Sequence, residues 1–172
     1  QAAVDAAHLE AFTRAAEDIT LRRLVSFNLG PAMKQQFEQL FSAPYLAEIL
    51  LAELKRTPQE DVLVNLHFDG SFQFQNGGID VAASDPDAAG AARDWLSKQD
   101  TETQPLAGVV ENILQAWWMI TERKMLMDNL PSESERKEGW RAKTEGKVVE
   151  IGWLDRKSER AARFSIRELA SL

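Results

Sequence analysis

The sequence predicts an α+β fold: N-terminal helices, then two three-stranded antiparallel meanders separated by two helices, with sheet packed on a largely buried, Trp-rich helix. Three observations carry this. Apolar residues recur at helical spacing through the first third of the chain. The period switches to strict alternation between Val62 and Val81. From Trp140 to Glu168, apolar rows and charge pairs agree at a single strand register, which a one-residue slip would destroy.

The helical N-terminal part covers residues 1–57. Val4, Phe12, Ala15, Ala16 and Ile19 form a stripe that Leu24 and Val25 extend. Asn28-Leu29-Gly30-Pro31 reads as a stop, because glycine suits a left-handed cap and proline cannot continue the same helix. Pro31 can then open a second helix carrying Met33, Phe37, Leu40 and Phe41, and Ser42-Ala43-Pro44 breaks it again. Leu46, Ile49, Leu50 and Leu54 predict a third helix, which Pro58 follows.

Residues 61–83 predict the first meander. Val62, Val64, Leu66 and Phe68 alternate with Leu63, Asn65 and His67; Phe72 and Phe74 alternate with Gln73 and Gln75; Ile79 and Val81 flank Asp80. An Asn76-Gly77 hairpin would set Phe74 opposite Ile79. An odd-numbered loop at Asp69-Gly70, bulged at Gly70 or Ser71, would set Leu66 opposite Phe74.

Residues 86–128 predict a helical pair. Ser84-Asp85-Pro86 is a capping signal for a helix from about Asp87 to Lys98. Pro105 starts the longest apolar helix, through Val109, Val110, Ile113, Leu114, Trp117 and Ile120 towards Met127; apolar residues on nearly every side imply broad burial. Pro131 to Glu138 reads as a charged loop. Residues 139–169 predict the second meander, with turns at Glu145-Gly146 and Lys157-Ser158. Trp140, Ile151 and Phe164 then share one row, as do Ala142, Val149 and Ile166, while Trp153 faces Ala162. Charge pairs on the other face are Arg141 with Glu150 and Lys147 with Glu168; at the turn Asp155 meets Arg160 and Arg156 meets Glu159. Ser158 to Leu172 also fits an amphipathic helix, with Ala162, Ile166 and Leu169 on one side.

A chain of 172 residues, 44% hydrophobic and 27% charged, can form one domain whose core needs neither disulfides nor metal. The absence of cysteine removes disulfides, thiol nucleophiles and thiolate metal sites. It suits a reducing cytoplasm, and it suits a secreted or periplasmic protein whose targeting segment has been removed ahead of Gln1; the cytoplasm is the preferred expectation. The longest purely apolar run, Ala116 to Ile120, is far short of the about 20 residues of a membrane span. The net charge of −7 is uneven: up to Ser132 there are 10 Lys+Arg against 19 Asp+Glu, and from Glu133 onward 10 against 8. The acidic part argues against general affinity for nucleic acid or anionic lipid.

Catalytic motifs are missing. There is no G-x-S-x-G, no phosphate-binding glycine loop and no calcium loop around Asp80, Asp85, Asp87 and Asp94. No cofactor or metal is therefore expected, and enzymatic activity is disfavoured. The reading is a non-enzymatic macromolecule-binding protein, such as an adaptor, chaperone, inhibitor or immunity-type protein, acting on a protein partner. Partner-binding candidates are Trp118, Met125 and Met127 on the long helix, plus Arg141, Arg163 and Arg167 on the charged sheet face. One alternative is a small-ligand binder or enzyme using the polar face of Asn65, His67 and Gln73. Another is nucleic-acid or phosphate binding by the three arginines, which lacks the stacking aromatics such faces carry. A homodimer through the Met-rich helix end or an open sheet edge is the rival assembly.

Overall fold

A computed structural model describes residues 20–39, 46–101, 103–127, 129–158 and 164–169. It is α+β, with helices and two antiparallel sheets of three and two strands. The chain divides into two compact units, residues 1–82 and 83–172.

In the first unit, α1 (Leu21–Leu24), a π-helical turn (Val25–Leu29) and α2 (Gly30–Phe37) follow one another without a break. Two groups satisfy the N-terminal amides of α1: the Thr20 hydroxyl accepts from Arg23 N–H at 3.3 Å, and Glu53 Oε2 accepts from Leu21 N–H at 3.0 Å. The expected stop at Gly30-Pro31 is not a stop. Gly30 is right-handed (φ −58°), and its N–H donates to the Val25 carbonyl five residues back. That wider turn accommodates Pro31, whose ring would collide with the carbonyl four residues back in a regular α-helix. The first stripe, Val4 to Ile19, and the end of the second helix at Leu40 and Phe41 lie outside the described residues.

The expected third helix is instead β1 (Ile49–Glu53), which pairs antiparallel with β2 (Val62–Leu66), itself paired with β3 (Phe72–Asn76). The apolar residues at 49, 50, 51 and 52 satisfy either period, and pairing with the largely buried central strand decides for extended chain. The third expected strand, Ile79–Val81, does not form. The chain turns away at Gly77 and Gly78 (φ +62° and +81°), where Gly77 N–H bonds to the Asp61 carbonyl and Gln75 Nε2 holds the Gly77 and Ile79 carbonyls.

The β2–β3 loop has an odd number of residues, as expected, but is tighter than expected. His67 N–H bonds to the Ser71 carbonyl around Phe68-Asp69-Gly70, with Gly70 at φ +82°. Leu66 therefore faces Phe72, and Val64 faces Phe74. The shift is two residues, so the face assignment survives. Val62, Val64 and Leu66 form the core with Leu21, Leu24 and Val25, and Leu29, Met33, Leu51, Phe72 and Phe74 pack around it. Gly70 also permits close contact with α2, since a Cβ there would lie 2.5 Å from the Gly30 carbonyl oxygen.

In the second unit, α3 (Pro86–Ser97) begins at Asp85, whose carboxylate caps the Asp87 and Ala88 amides. The long apolar helix is α4 (Leu106–Thr121); it ends before Met127 at a Schellman motif. Lys124 N–H reaches the Met119 carbonyl and Arg123 N–H that of Ile120, with Arg123 left-handed (φ +55°). No glycine marks this end, so the sequence carried no stop there.

The segment from Pro131 to Glu138 is not a loop, and Trp140 is not in a strand. Glu133 to Glu138 and Trp140 belong to α5 (Glu133–Thr144), which Ser132 caps. The Ser132 hydroxyl accepts from Glu135 N–H, acidic residues fill the first turn, and Arg141 and Lys143 the last. The second sheet is consequently a two-stranded ribbon, β4 (Glu150–Leu154) and β5 (Phe164–Glu168). Its register is three residues from that expected: Ile151 faces Arg167, Gly152 faces Ile166, and Leu154 faces Phe164. An odd shift exchanges the faces. Phe164 and Ile166 are exposed rather than buried, at 55% and 59%. Asp155 makes a local turn with Lys157 and Ser158, and its expected partner Arg160 lies outside the described residues.

Candidate functional site

Asn65 and Gln73 face each other across β2 and β3, on the sheet side away from the core. That side is not wet throughout. Asn65 is 8% exposed, and its buried Oδ1 has no hydrogen-bond partner among the described residues, while Gln73 is exposed. His67 lies at the hairpin end, where its Nδ1 is 3.3 Å from Glu48 Oε1. Asp69 instead takes Ser71 through both its hydroxyl and its amide, at 2.6 and 2.9 Å. The Ser71 hydroxyl holds the Asp69 carboxyl below its ordinary range, the Ser71 amide adds to this, and His67 contributes a smaller Coulombic pull. The two amides thus face each other across the strands, while the imidazole, two residues along the chain from Asn65, meets Glu48.

The partner-binding candidates separate. Trp118 is buried at 6%, with α5 closing over it at Gly139 and the Lys124 ammonium 4.7 Å from its ring. Met125 is buried at 5%. Trp117 is the exposed member of the tryptophan pair, with Ile113 52% exposed one turn before it. Val109 and Ile120 extend this stripe as half-buried residues, and beyond the helix Leu126, Met127 and Leu130 are exposed. Helix α4 is apolar nearly all round, and α3 and α5 pack against it, but these neighbours leave the 109–113–117 side open. Arg141 sits on α5, not on a sheet, and bonds Glu111 at 3.1 Å. Arg167 lies in β5 and Arg163 outside the described residues, so the described structure does not join them with Arg141 on one sheet face.

A different side of α4 builds a site that the sequence reading passed over. Gly108, Glu111, Asn112 and Gln115 fall at i, i+3, i+4 and i+7 and share one face. Helix α5 adds Glu133, Arg136 and Lys137, again at i, i+3 and i+4; Trp95 and Gln99 come from α3 and Gln104 from the connector. Together they line an open polar cleft of about 240 Å³. Gln115 is 3% exposed in the middle of an apolar helix. A buried amide without a partner costs about 1–3 kcal/mol. Arg136 supplies one partner, donating from Nε to Gln115 Oε1 at 2.9 Å and from Nη1 to the Pro131 carbonyl at 2.5 Å. Its guanidinium lies 5.4 Å from the Trp95 ring centre. Asn112 donates to Gln104 Oε1 at 3.0 Å, and Lys137 pairs with Glu133 at 2.7 Å. The hydrogen bond of that pair lowers the Glu133 pKa and raises that of Lys137. Polar residues at helical spacing within an apolar helix are the signal that could have found this face.

Among the described residues, no group of three or more His, Cys, Asp or Glu side chains could hold a metal ion, and no helix is long and apolar enough to cross a membrane. Fold and surface define an α+β protein with a part-exposed apolar helix stripe and a separate polar cleft. No protein-family model, curated protein or solved structure matches the chain.

Proposed function

We propose that the chain is a non-enzymatic protein-binding module that docks an amphipathic helix of a partner protein on the Val109–Ile113–Trp117 side of α4. The observation that carries this is the exposure of two large apolar side chains, Ile113 and Trp117, one turn apart on α4. A stripe flanked by polar residues is the usual form of a helix-binding surface, and tryptophan supplies much of the energy at such surfaces. The border supplies the charge preference. Lys143 lies with its ammonium 5.9 Å from the Trp117 ring, and Arg141 is 61% exposed on the same helix. Their ion-pair partners are the carboxylates of Glu122 and Glu111, and ion pairs at the surface exchange partners at little cost. A partner helix with carboxylates beside its apolar face is complementary to this border.

The test compares the wild-type chain with Ile113→Asp and Trp117→Ala. Ile113 is half exposed, so its substitution leaves the fold intact, as circular dichroism would verify. A protein recovered by the wild type must rebind when purified, and both variants must weaken it by about tenfold or more. A partner held equally by all three chains, or failure of any recovered protein to rebind when purified, overturns the reading. Recovery of a second copy of this chain, with a concentration-dependent mass, assigns the stripe to self-association instead.

A further inference from the structure

We propose that the polar cleft between α3, α4 and α5 binds a small zwitterion of the α-amino-acid class. The inference stands apart from partner docking, which uses another side of α4. Three features of the cleft point to this ligand. First, its charged lining is balanced: Arg136 and Lys137 oppose Glu111 and Glu133. An anion would meet two carboxylates and a cation two basic groups, whereas a zwitterion matches both signs. Second, hydrogen-bonding capacity remains after the internal bonds are made. Arg136 uses Nε and Nη1, leaving Nη2, and Gln115 uses only its carbonyl oxygen, leaving its amide N–H groups. These donors, with Lys137, can receive a carboxylate. The second oxygen of Glu111 and the Asn112 carbonyl oxygen can accept from an ammonium. Third, Trp95 has the Arg136 guanidinium over its ring, so it is less available as the bare platform that a sugar ring stacks on. The volume of about 240 Å³ is small for a drug-sized ligand and suits a molecule with a short side chain.

The site is built rather than incidental. Gln115, 3% exposed, would be apolar if α4 needed only packing at that position, and Arg136 is held by three different groups. Isothermal titration of the whole chain with alanine, serine, glutamine and glutamate as free amino acids tests the proposal. Binding by at least one is expected, together with about tenfold weaker binding of its N-acetyl and carboxamide derivatives. Glu111→Gln, at a part-exposed position that leaves the core untouched, should weaken it about tenfold as well, while Ile113→Asp should leave it unchanged. Gln115→Leu gives a second variant, whose folding is checked by circular dichroism. The proposal is overturned if no free amino acid binds at millimolar concentration. It is also overturned if the blocked derivatives bind equally well, if glucose binds in their place, or if Glu111→Gln has no effect.

Discussion

Gly139 offers the sharpest test of how α5 is held. In a helix interior, glycine to alanine ordinarily stabilises by about 0.8–1.0 kcal/mol, because alanine loses less backbone freedom on folding. At Gly139 a Cβ would lie 2.6 Å from Trp118 Nε1 and closer still to Cε2 and Cζ2. Trp118 is 6% exposed and has little room to retreat. Overpacking of this kind costs about 1–3 kcal/mol. The two effects leave Gly139→Ala less stable by about 1 kcal/mol. Gly90, inside α3, is the internal control: a Cβ there meets nothing within 4 Å, so Gly90→Ala should stabilise by about 0.8–1.0 kcal/mol. Urea unfolding followed by far-ultraviolet circular dichroism measures both. A Trp118→Leu background removes the obstructing ring, and Gly139→Ala should become stabilising there, giving a clear coupling in the double-mutant cycle. If Gly139→Ala stabilises the wild-type chain as much as Gly90→Ala does, α5 does not close over Trp118 and the packing argument fails.

Two further outcomes follow from unit one. Asn65→Val should raise stability by about 1 kcal/mol, since it removes a buried acceptor without a partner and places a β-branched residue in a central strand; a loss of stability would show that the amide is satisfied. Asp69 should titrate below its ordinary value of 3.8, because the Ser71 hydroxyl and amide stabilise its charged form. A depressed folded-state pKa means that this contribution is present above the unfolded pKa and is lost as the pH falls through the folded one. A carboxyl titration followed by nuclear magnetic resonance should show Ser71→Ala restoring Asp69 towards 3.8, and an unchanged titration would remove Ser71 as the cause.

The legible parts of the fold were those with strong local chemistry. Asp85-Pro86 placed the start of α3 to within a residue, and Pro105 placed that of α4. The alternation of Val62 to Leu66 and of Phe72 to Phe74 identified two paired strands with the correct faces. One miss had a local signal available. Ser132 and Glu135 form an N-terminal capping pattern, yet the alternation from Trp140 onward suggested a strand, and the single register that seemed to confirm it joined a helix to a ribbon. The end of α4 had none, because Arg123 adopts a left-handed conformation that glycine usually marks.

Of the candidate residues, sequence correctly put Asn65 and Gln73 on the same face, and it placed the adjacent Trp117 and Trp118 on the long apolar helix. It did not show which tryptophan is buried. That depends on α5 approaching through Gly139, a contact between residues distant in sequence. Nor did it show the cleft, whose floor is Gln115 and whose walls come from three helices.

The sequence by itself determined the α+β class, the two buried-face strands, the N-terminal cap of α3 and the lack of cysteine chemistry, because each rests on a residue and its near neighbours. Tertiary structure decided that Ile49–Glu53 is a strand, that Gly30-Pro31 lies within a continuing helical run, and which side of α4 is left open. Those outcomes turn on partners far along the chain, and local periodicity is degenerate where apolar residues are dense.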